Sequence, residues 1–228
     1  MEHVIKKALE RGGVDYLEIR LEERTTTSVN YVGRELESIG VNNSFGGNVR
    51  ALHKSGWGFS SFNSLDNLEK KVDQACQAAR QVGRGRSRLA KTNAVRDHIK
   101  VNMNDDPRQV SLSQKKELAE HYNRLIMDSP GIISSSTRYE DVFKKQTFAN
   151  SEGSFITQER IYCGAAFSAV AKEGANVQRA HTTAGDTRGY NTALNLEPKA
   201  EQAVKDARDL LKADKVSAGK YTVVIDPI

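Results

Sequence analysis

Apolar positions along the chain follow two rhythms, and the switches between them mark its elements. Residues 4–11 set Val4, Ile5, Ala8 and Leu9 on one helical face, and Gly12-Gly13 ends the run. From Asp15 the period drops to two: Leu17, Ile19 and Leu21 alternate with Glu18, Arg20 and Glu22, the pattern of a half-buried strand. Thr27, Val29 and Tyr31 predict a second strand after a short connection, Gly33-Arg34 a turn, and Leu36 to Val41 a resumed ladder. Val49 to Leu52 and Trp57 to Ser60 predict two more short strands on either side of Lys54-Ser55-Gly56. Ser64 is placed to cap a helix whose stripe is Leu65, Leu68, Val72, Ala75, Cys76 and Ala79. This first unit reads as helix, antiparallel strands, helix.

The order then repeats. Ser111 or Ser113 starts a helix bearing Leu118, Tyr122, Leu125 and Ile126, which Pro130-Gly131 stops. Strands are predicted at Ile132 to Val142, Gln146 to Ala149, Phe155 to Ala171 and Ala175 to Thr183, with turns at Asn150-Ser151-Glu152-Gly153 and Lys172-Glu173-Gly174. A helix begins near Pro198, with Ala203, Ala207, Leu210 and Leu211 inward. Runs of strands lie between helices without βαβ alternation, so the class is α+β, with antiparallel sheet flanked by helices in two related helix-strands-helix units. Residues 1–82 form the first domain, 83–110 a basic linker, 111–215 a middle α+β domain, and 216–228 the first strand of a further domain. Val223-Val224-Ile225 closing on Asp226-Pro227 is an apolar strand that would be an aggregation hazard if left unpaired, so the polypeptide is expected to continue beyond it.

Composition changes this picture little. At 38% hydrophobic and 28% charged residues the 228-residue chain has a soluble globular profile. No apolar run approaches the ~20 residues of a membrane span, and the start lacks a signal-peptide core, so a cytoplasmic location and no membrane partner are expected. Cys76 and Cys163 have no CxxC partner and read as two buried free thiols. The net charge of +5 gathers partly at Arg80, Arg84, Arg86, Arg88, Lys91, Arg96 and Lys100, among Gly83, Gly85, Ser87 and Asn93. That composition reads as a solvated linker first and a phosphate-binding arm second, since no aromatic residue interrupts it to stack on bases.

Chemistry of its own is scarce. His3, His53, His98, His121 and His181 are scattered singly, with no HExxH spacing that would place two imidazoles on one helix face. No GxSxG elbow exists, and Phe167-Ser168-Ala169 lies in mid-strand. GxxxxGK[ST] and GxGxxG are absent, so nucleotide binding has no support. The carboxylate pairs Glu22-Glu23 and Asp105-Asp106 read as solvated strand-end or loop charges. One segment is richer: Phe45 to Leu52 followed by Ser55 to Ser61 sets glycines beside a lone tryptophan and an arginine within a sheet. Strand glycines mark a bulge or a close backbone approach, with room for an extended peptide. The plainer reading is a tight hairpin with Trp57 and Phe59 in the core. Gly47, Arg50 and Trp57 are the candidate substrate-binding residues; no catalytic or metal-binding residue is assigned.

The same segment resembles the signature of the TldD/PmbA family, zinc metalloproteases once called modulators of DNA gyrase. Its N-terminal pattern, like G-x-G-V-R-A, a turn, then G-[WF]-[GA]-F and an alanine-rich helix, is matched by Gly46-Gly47-Asn48-Val49-Arg50-Ala51, Gly56-Trp57-Gly58-Phe59 and Leu65 to Ala79. Asp15 to Arg20 resembles the family's opening strand and Asn150 to Gly153 its mid-domain turn. Gly219 to Pro227 is similar to the strand preceding the HExxxH helix in TldD-type members, so the likeness is more TldD-like than PmbA-like and covers essentially the whole chain. Asn48 departs from the usual second glycine, and its tolerance of positive φ would preserve a turn there. The family's HExxxH and further cysteine ligand have no matching positions here.

The resemblance implies a zinc-dependent peptidase of small or unfolded peptides, in which a metal-activated water attacks the peptide bond with the helix glutamate as general base. It also implies a homodimer, or a heterodimer with a PmbA-like subunit, enclosing a cavity that the N-terminal domains help to wall. On that reading this chain is a non-catalytic portion, inactive alone. The alternatives are a metal-free PmbA-like partner, or an interaction module that binds gyrase or nucleic acid through Arg80 to Lys100.

Overall fold

In the computed structural model, which describes residues 1–225, the elements follow in the order α1 (Glu2–Glu10), β1 (Tyr16–Val32), β2 (Glu35–His53), β3 (Gly56–Phe62) and α2 (Leu68–Val82). They continue with β4 (Arg96–Ile99), α3 (Leu112–Met127), β5 (Ile132–Asn150), β6 (Phe155–Glu173), β7 (Asn176–Asp186) and α4 (Glu197–Leu211). The α+β expectation holds, and the order helix, three antiparallel strands, helix occurs twice. One sheet runs β3-β2-β1-β5-β6, and both β7 and the short β4 pair with the far side of β6. The two halves meet where β1 lies antiparallel to β5, in unbroken register from Glu18 opposite Asn150 to Val32 opposite Ser136.

The strands are longer than the sequence reading allowed. Leu17, Ile19, Leu21, Thr27, Val29 and Tyr31 are not split between two strands; they are the odd positions of the single strand β1 and keep one face throughout. No Gly or Pro interrupts β1, and β2 and β5 pair with it on either side. In the same way β2 joins the Leu36 and Val49 segments, and β5 joins Ile132–Val142 to Gln146–Ala149. Helix α2 starts later than expected, at Leu68, because the Ser64 hydroxyl bonds Asp66 and closes a local turn instead of capping the helix. Within the stretch read as a basic linker, Arg96–Ile99 forms β4, parallel to Phe155–Gln158 of β6. Leu210, expected inward, is 41% exposed, and α4 buries Ala200, Ala203, Val204 and Ala207 instead. Tyr221–Ile225, expected as a strand, is exposed coil, since no strand edge among the described residues pairs with it; Asp226 to Ile228 lie outside the described residues.

Among the described residues the hydrophobic clusters form on one face of the sheet. Leu17, Ile19 and Leu21 of β1 and Val49 and Ala51 of β2 meet Ile5 and Ala8 of α1 and the Leu68, Val72, Ala75, Cys76 and Ala79 stripe of α2. Phe167, Ala169 and Ala171 of β6 meet Tyr122 and Ile126 of α3 and the alanines of α4. Val29, Tyr31, Tyr139 and Cys163 form a third cluster with Ala119 of α3. Fully burying a Leu, Val or Ile side chain stabilises by about 1.5–3 kcal/mol, so each helix is fixed by its own stripe. Apart from Ile132, which precedes the register shift in β5, the sheet positions in these clusters are the odd ones of β1, β2, β5 and β6 and the even ones of β3 and β7. The alternate positions make a second face that, among the described residues, carries no helix cluster.

Candidate functional site

The three sequence candidates divide between the two faces. Gly47 lies on the helix side, where an added Cβ would come 2.5 Å from the Arg20 carbonyl oxygen, 2.5 Å from the Phe62 ring and 2.8 Å from Leu21. Its glycine serves packing. Gly56 and Gly58 point the same way and admit α2, an added Cβ falling 2.5 Å from the Ala79 carbonyl oxygen and 1.9 Å from that of Ala75 respectively. These three glycines therefore line no open surface. Trp57 and Phe59, alternating with them, are 41% and 61% exposed on the open face, which corrects the expectation of a hairpin with both in the core. Asn48 sits in regular strand pairing and is not among the residues with positive φ, so no turn depends on it.

Arg50 and Trp57 come together. The Arg50 guanidinium carbon stands 4.4 Å from the centre of the Trp57 ring, a cation–π arrangement. Arg50 Nη1 donates to Glu18 Oε1 at 3.1 Å, and Arg20 Nε donates to the same oxygen at 3.2 Å. The Tyr16 hydroxyl donates to the other oxygen, Oε2, at 2.8 Å. Strand register produces this convergence: Glu18 lies opposite Arg50 on β2, and Arg20 lies opposite Phe148 on β5, over whose ring its guanidinium stacks at 5.0 Å. Glu18 is only 4% exposed while both arginine side chains stay about half exposed. Tyr16 packs edge-on against Trp57 with ring centres 6.2 Å apart, and burial pushes its phenol up to about 12.

Sequence reading missed Tyr16, Glu18, Arg20 and Phe148 as members of this cluster. Alternation alone marks Glu18 and Arg20 as the wet side of a strand; the signal that finds them is pairing with Arg50 and Phe148, which requires the register. Further along the open face, Val142, Tyr162, Gly164 and Ala166 floor a cleft of about 500 Å³, walled by the ion pair of Arg138 with Glu140. The step from Arg20 to Thr26, opposite Val142, is six residues, about 20 Å at the rise of a strand.

Other groups with chemical potential are structural. On the helix side, Lys115 Nζ of α3 lies 2.6 Å from Asp141 Oδ2 of β5, with both side chains nearly inaccessible. The Tyr139 hydroxyl donates to the same oxygen at 2.8 Å, and the Cys163 thiol donates weakly to Tyr139 at 3.5 Å. Burial pushes the thiol up to about 11, so it stays protonated and unreactive. Cys76 and Cys163 are both free and buried, as expected. Within the basic stretch, Arg80 donates to the Gly12 and Gly13 carbonyls and Arg96 pairs with Glu2. Among the described residues no three His, Cys, Asp or Glu side chains come together around one possible ion, and no helix is long and apolar enough to cross a membrane.

Comparison with known proteins gives this architecture its class. The family model described as PmbA/TldA metallopeptidase domain 1 matches residues 17–79, and that of the PmbA/TldA metallopeptidase central domain matches residues 105–211. A metalloprotease of Synechocystis is 36% identical over 216 residues, covering 94% of this chain and 47% of the relative. A metalloprotease of Methanocaldococcus jannaschii is 32% identical over 228 residues, covering 98% of this chain and 50% of the relative. Among solved structures, a protein described as a modulator of a DNA gyrase from Thermotoga maritima superposes with a TM-score of 0.77 at 16% identity, over 96% of this chain and 50% of that one. TldE from Thermococcus kodakarensis gives 0.74 at 14% identity, over 90% and 47%. The two structures share the fold; the family assignment rests on the two models and the metalloprotease relatives. The chain belongs to the PmbA/TldD metallopeptidase family, and it spans about half the length of the curated relatives it matches.

Proposed function

We propose that this chain is the non-catalytic, substrate-side portion of a PmbA/TldD metallopeptidase, presenting the open face of its sheet to small or unfolded peptides. The observation that carries the reading is that face itself: a sheet surface without a helix cluster among the described residues, on which Arg50 and Trp57 meet and a cleft opens further along. An extended peptide suits such a surface because its side chains alternate at the spacing of the strands beneath. A family metallopeptidase requires a metal, which activates water for attack on the peptide bond when bound. The residues described here do not fit such a centre, since no three ligands converge. No catalytic step is therefore assigned to them, and their part is to bind and orient.

On the same reading the metal is zinc held by another portion of the full-length protein, the assembly is a homodimer or a heterodimer with a PmbA-like subunit, and the location is cytoplasmic. The coverage of about half of each curated relative supports a division of labour of this kind. The test is to incubate the 228-residue chain with a fluorescein-labelled unfolded casein peptide, with and without added Zn²⁺. Saturable binding, seen as a rise in polarisation, without cleavage is the expected result. Zinc-dependent cleavage abolished by a chelator would overturn the non-catalytic role, and absence of binding would overturn the peptide-binding face.

A further inference from the structure

We infer that Arg20 and Arg50 together form a carboxylate-binding site on the open face, with Glu18 as the residue that positions them. Both guanidiniums are tied through one nitrogen each to a single oxygen of Glu18, at 3.2 and 3.1 Å. Among the described residues their remaining nitrogens have no hydrogen-bond partner, and both side chains are about half exposed. The carboxylate that holds them is buried and its second oxygen is taken by Tyr16, so it neutralises one positive charge and leaves the other for a ligand. Each guanidinium plane is further fixed by an aromatic ring, Phe148 beneath Arg20 and Trp57 beside Arg50. Rigid, planar, partly desolvated forks with unused donors are the arrangement that binds carboxylates through paired hydrogen bonds. Much of the entropic cost of ordering two long side chains is met before the ligand arrives.

The ligand is a carboxylate carried by a peptide, either its terminal group or an acidic side chain. This deepens the peptide-binding reading of the open face and rests on it only for the ligand's being a peptide. Glu18, Arg20 and Arg50 stand on three neighbouring positions of two paired strands, so the site belongs to the rigid sheet and not to a loop.

Trp57 is the only tryptophan in the chain, so its fluorescence reports on Arg50 directly. The unmodified 228-residue chain would be titrated with acetyl-Ala-Ala-Ala as free acid and as amide, with acetyl-Ala-Glu-Ala-amide, with N-acetylalanine and with inorganic phosphate. A saturable change in Trp57 emission with the free acid, at an affinity roughly tenfold or more above that of the amide, supports the site. Response to acetyl-Ala-Glu-Ala-amide shows that a side-chain carboxylate is accepted as well. Arg20→Gln and Arg50→Gln should each weaken free-acid binding roughly tenfold, and Arg50→Lys, which keeps the charge but loses the fork, should weaken it too. Equal binding of acid and amide, with acetyl-Ala-Glu-Ala-amide no tighter than either, overturns the inference and leaves the peptide-binding face standing. Binding of N-acetylalanine without any longer peptide has the opposite meaning: the carboxylate site stands and the peptide face falls. A response to phosphate alone, or to none of the probes, overturns the site. The acid-against-amide comparison uses no variant and so stands even if a substitution impairs folding.

Discussion

A methyl group added at Gly58 would sit 1.9 Å from the carbonyl oxygen of Ala75 and 2.5 Å from the backbone nitrogen of Ala79, both on α2. Backbone cannot step aside as a flexible side chain can, so Gly58→Ala should destabilise the protein by about 3 kcal/mol, seen as a lowered urea midpoint at unchanged slope. A midpoint within error of the parent would refute the packing role. Asp106 offers a test through pH. Burial acts to raise its carboxyl, but the side-chain and backbone hydrogen bonds of Arg108 outweigh that and hold it below the usual carboxylate range. A folded value below the unfolded one means that stability is present above about pH 4, the unfolded value, and is lost as pH falls through the folded value. The stability gap between the parent and Asp106→Asn, followed by urea unfolding from pH 7 to 3, should be constant at neutral pH and narrow in acid. A gap that widens in acid would contradict this sign. At this scale the sequence was a fair guide to which residues are buried in the helices and a poor one to the open face. Arg50 and Trp57 stood out by type, whereas Glu18 reads as one more solvated charge until its cross-strand neighbours are known.

Among the elements, α3 has the most complete start. Ser111 caps it, its hydroxyl accepting from the Gln114 amide while the Gln114 side chain accepts from the Ser111 amide. Ser111→Ala should cost about 1 kcal/mol, measurable as a fall in thermal midpoint, and Ser113→Ala much less, since Ser113 lies inside the helix. Equal effects of the two would remove the cap assignment. The helices were legible because a stripe such as Leu68, Val72, Ala75, Cys76 and Ala79 has only one way to be buried. Strand lengths were not, because polar stretches such as Glu22 to Thr26 carry no apolar beat. Those residues are held in the sheet by pairing on both sides, with β2 and with β5. For β4 the obstacle was composition: four exposed residues within a charged stretch pair with β6 through backbone alone.

For the molecule as a whole, the seam between β1 and β5 decides what can exist separately. Residues 1–82 alone would bare one entire edge of β1 and uncover the first core cluster where Ala149 and Phe155 close it. Produced without the rest, this segment should lack a cooperative thermal transition and aggregate, because an unpaired edge of that length templates association. A monomeric, cooperatively melting fragment would show that the seam is dispensable. The repeated order of elements could be suspected from the sequence, but the line along which the halves join could not, since β1 and β5 lie more than a hundred residues apart and share no local signal.

The direction of that seam has a mechanical consequence. Tyr16 begins β1 at the end where β5 finishes, while the carbonyl of Leu211 is held by Asn176 at the tip of the β6–β7 turn, near where β5 starts. Force applied between Tyr16 and Leu211 therefore runs along the strands and loads the seam in shear, so its rungs resist together. Force applied between Tyr16 and Asn150 opens the same seam from one end, rung by rung. Optical tweezers attached at these two pairs of points should record a clearly higher rupture force for the first, and similar forces would show that the seam is not what gives way. Whatever task the open face performs, it is performed on a plate that is stiff along its strands and weak across them.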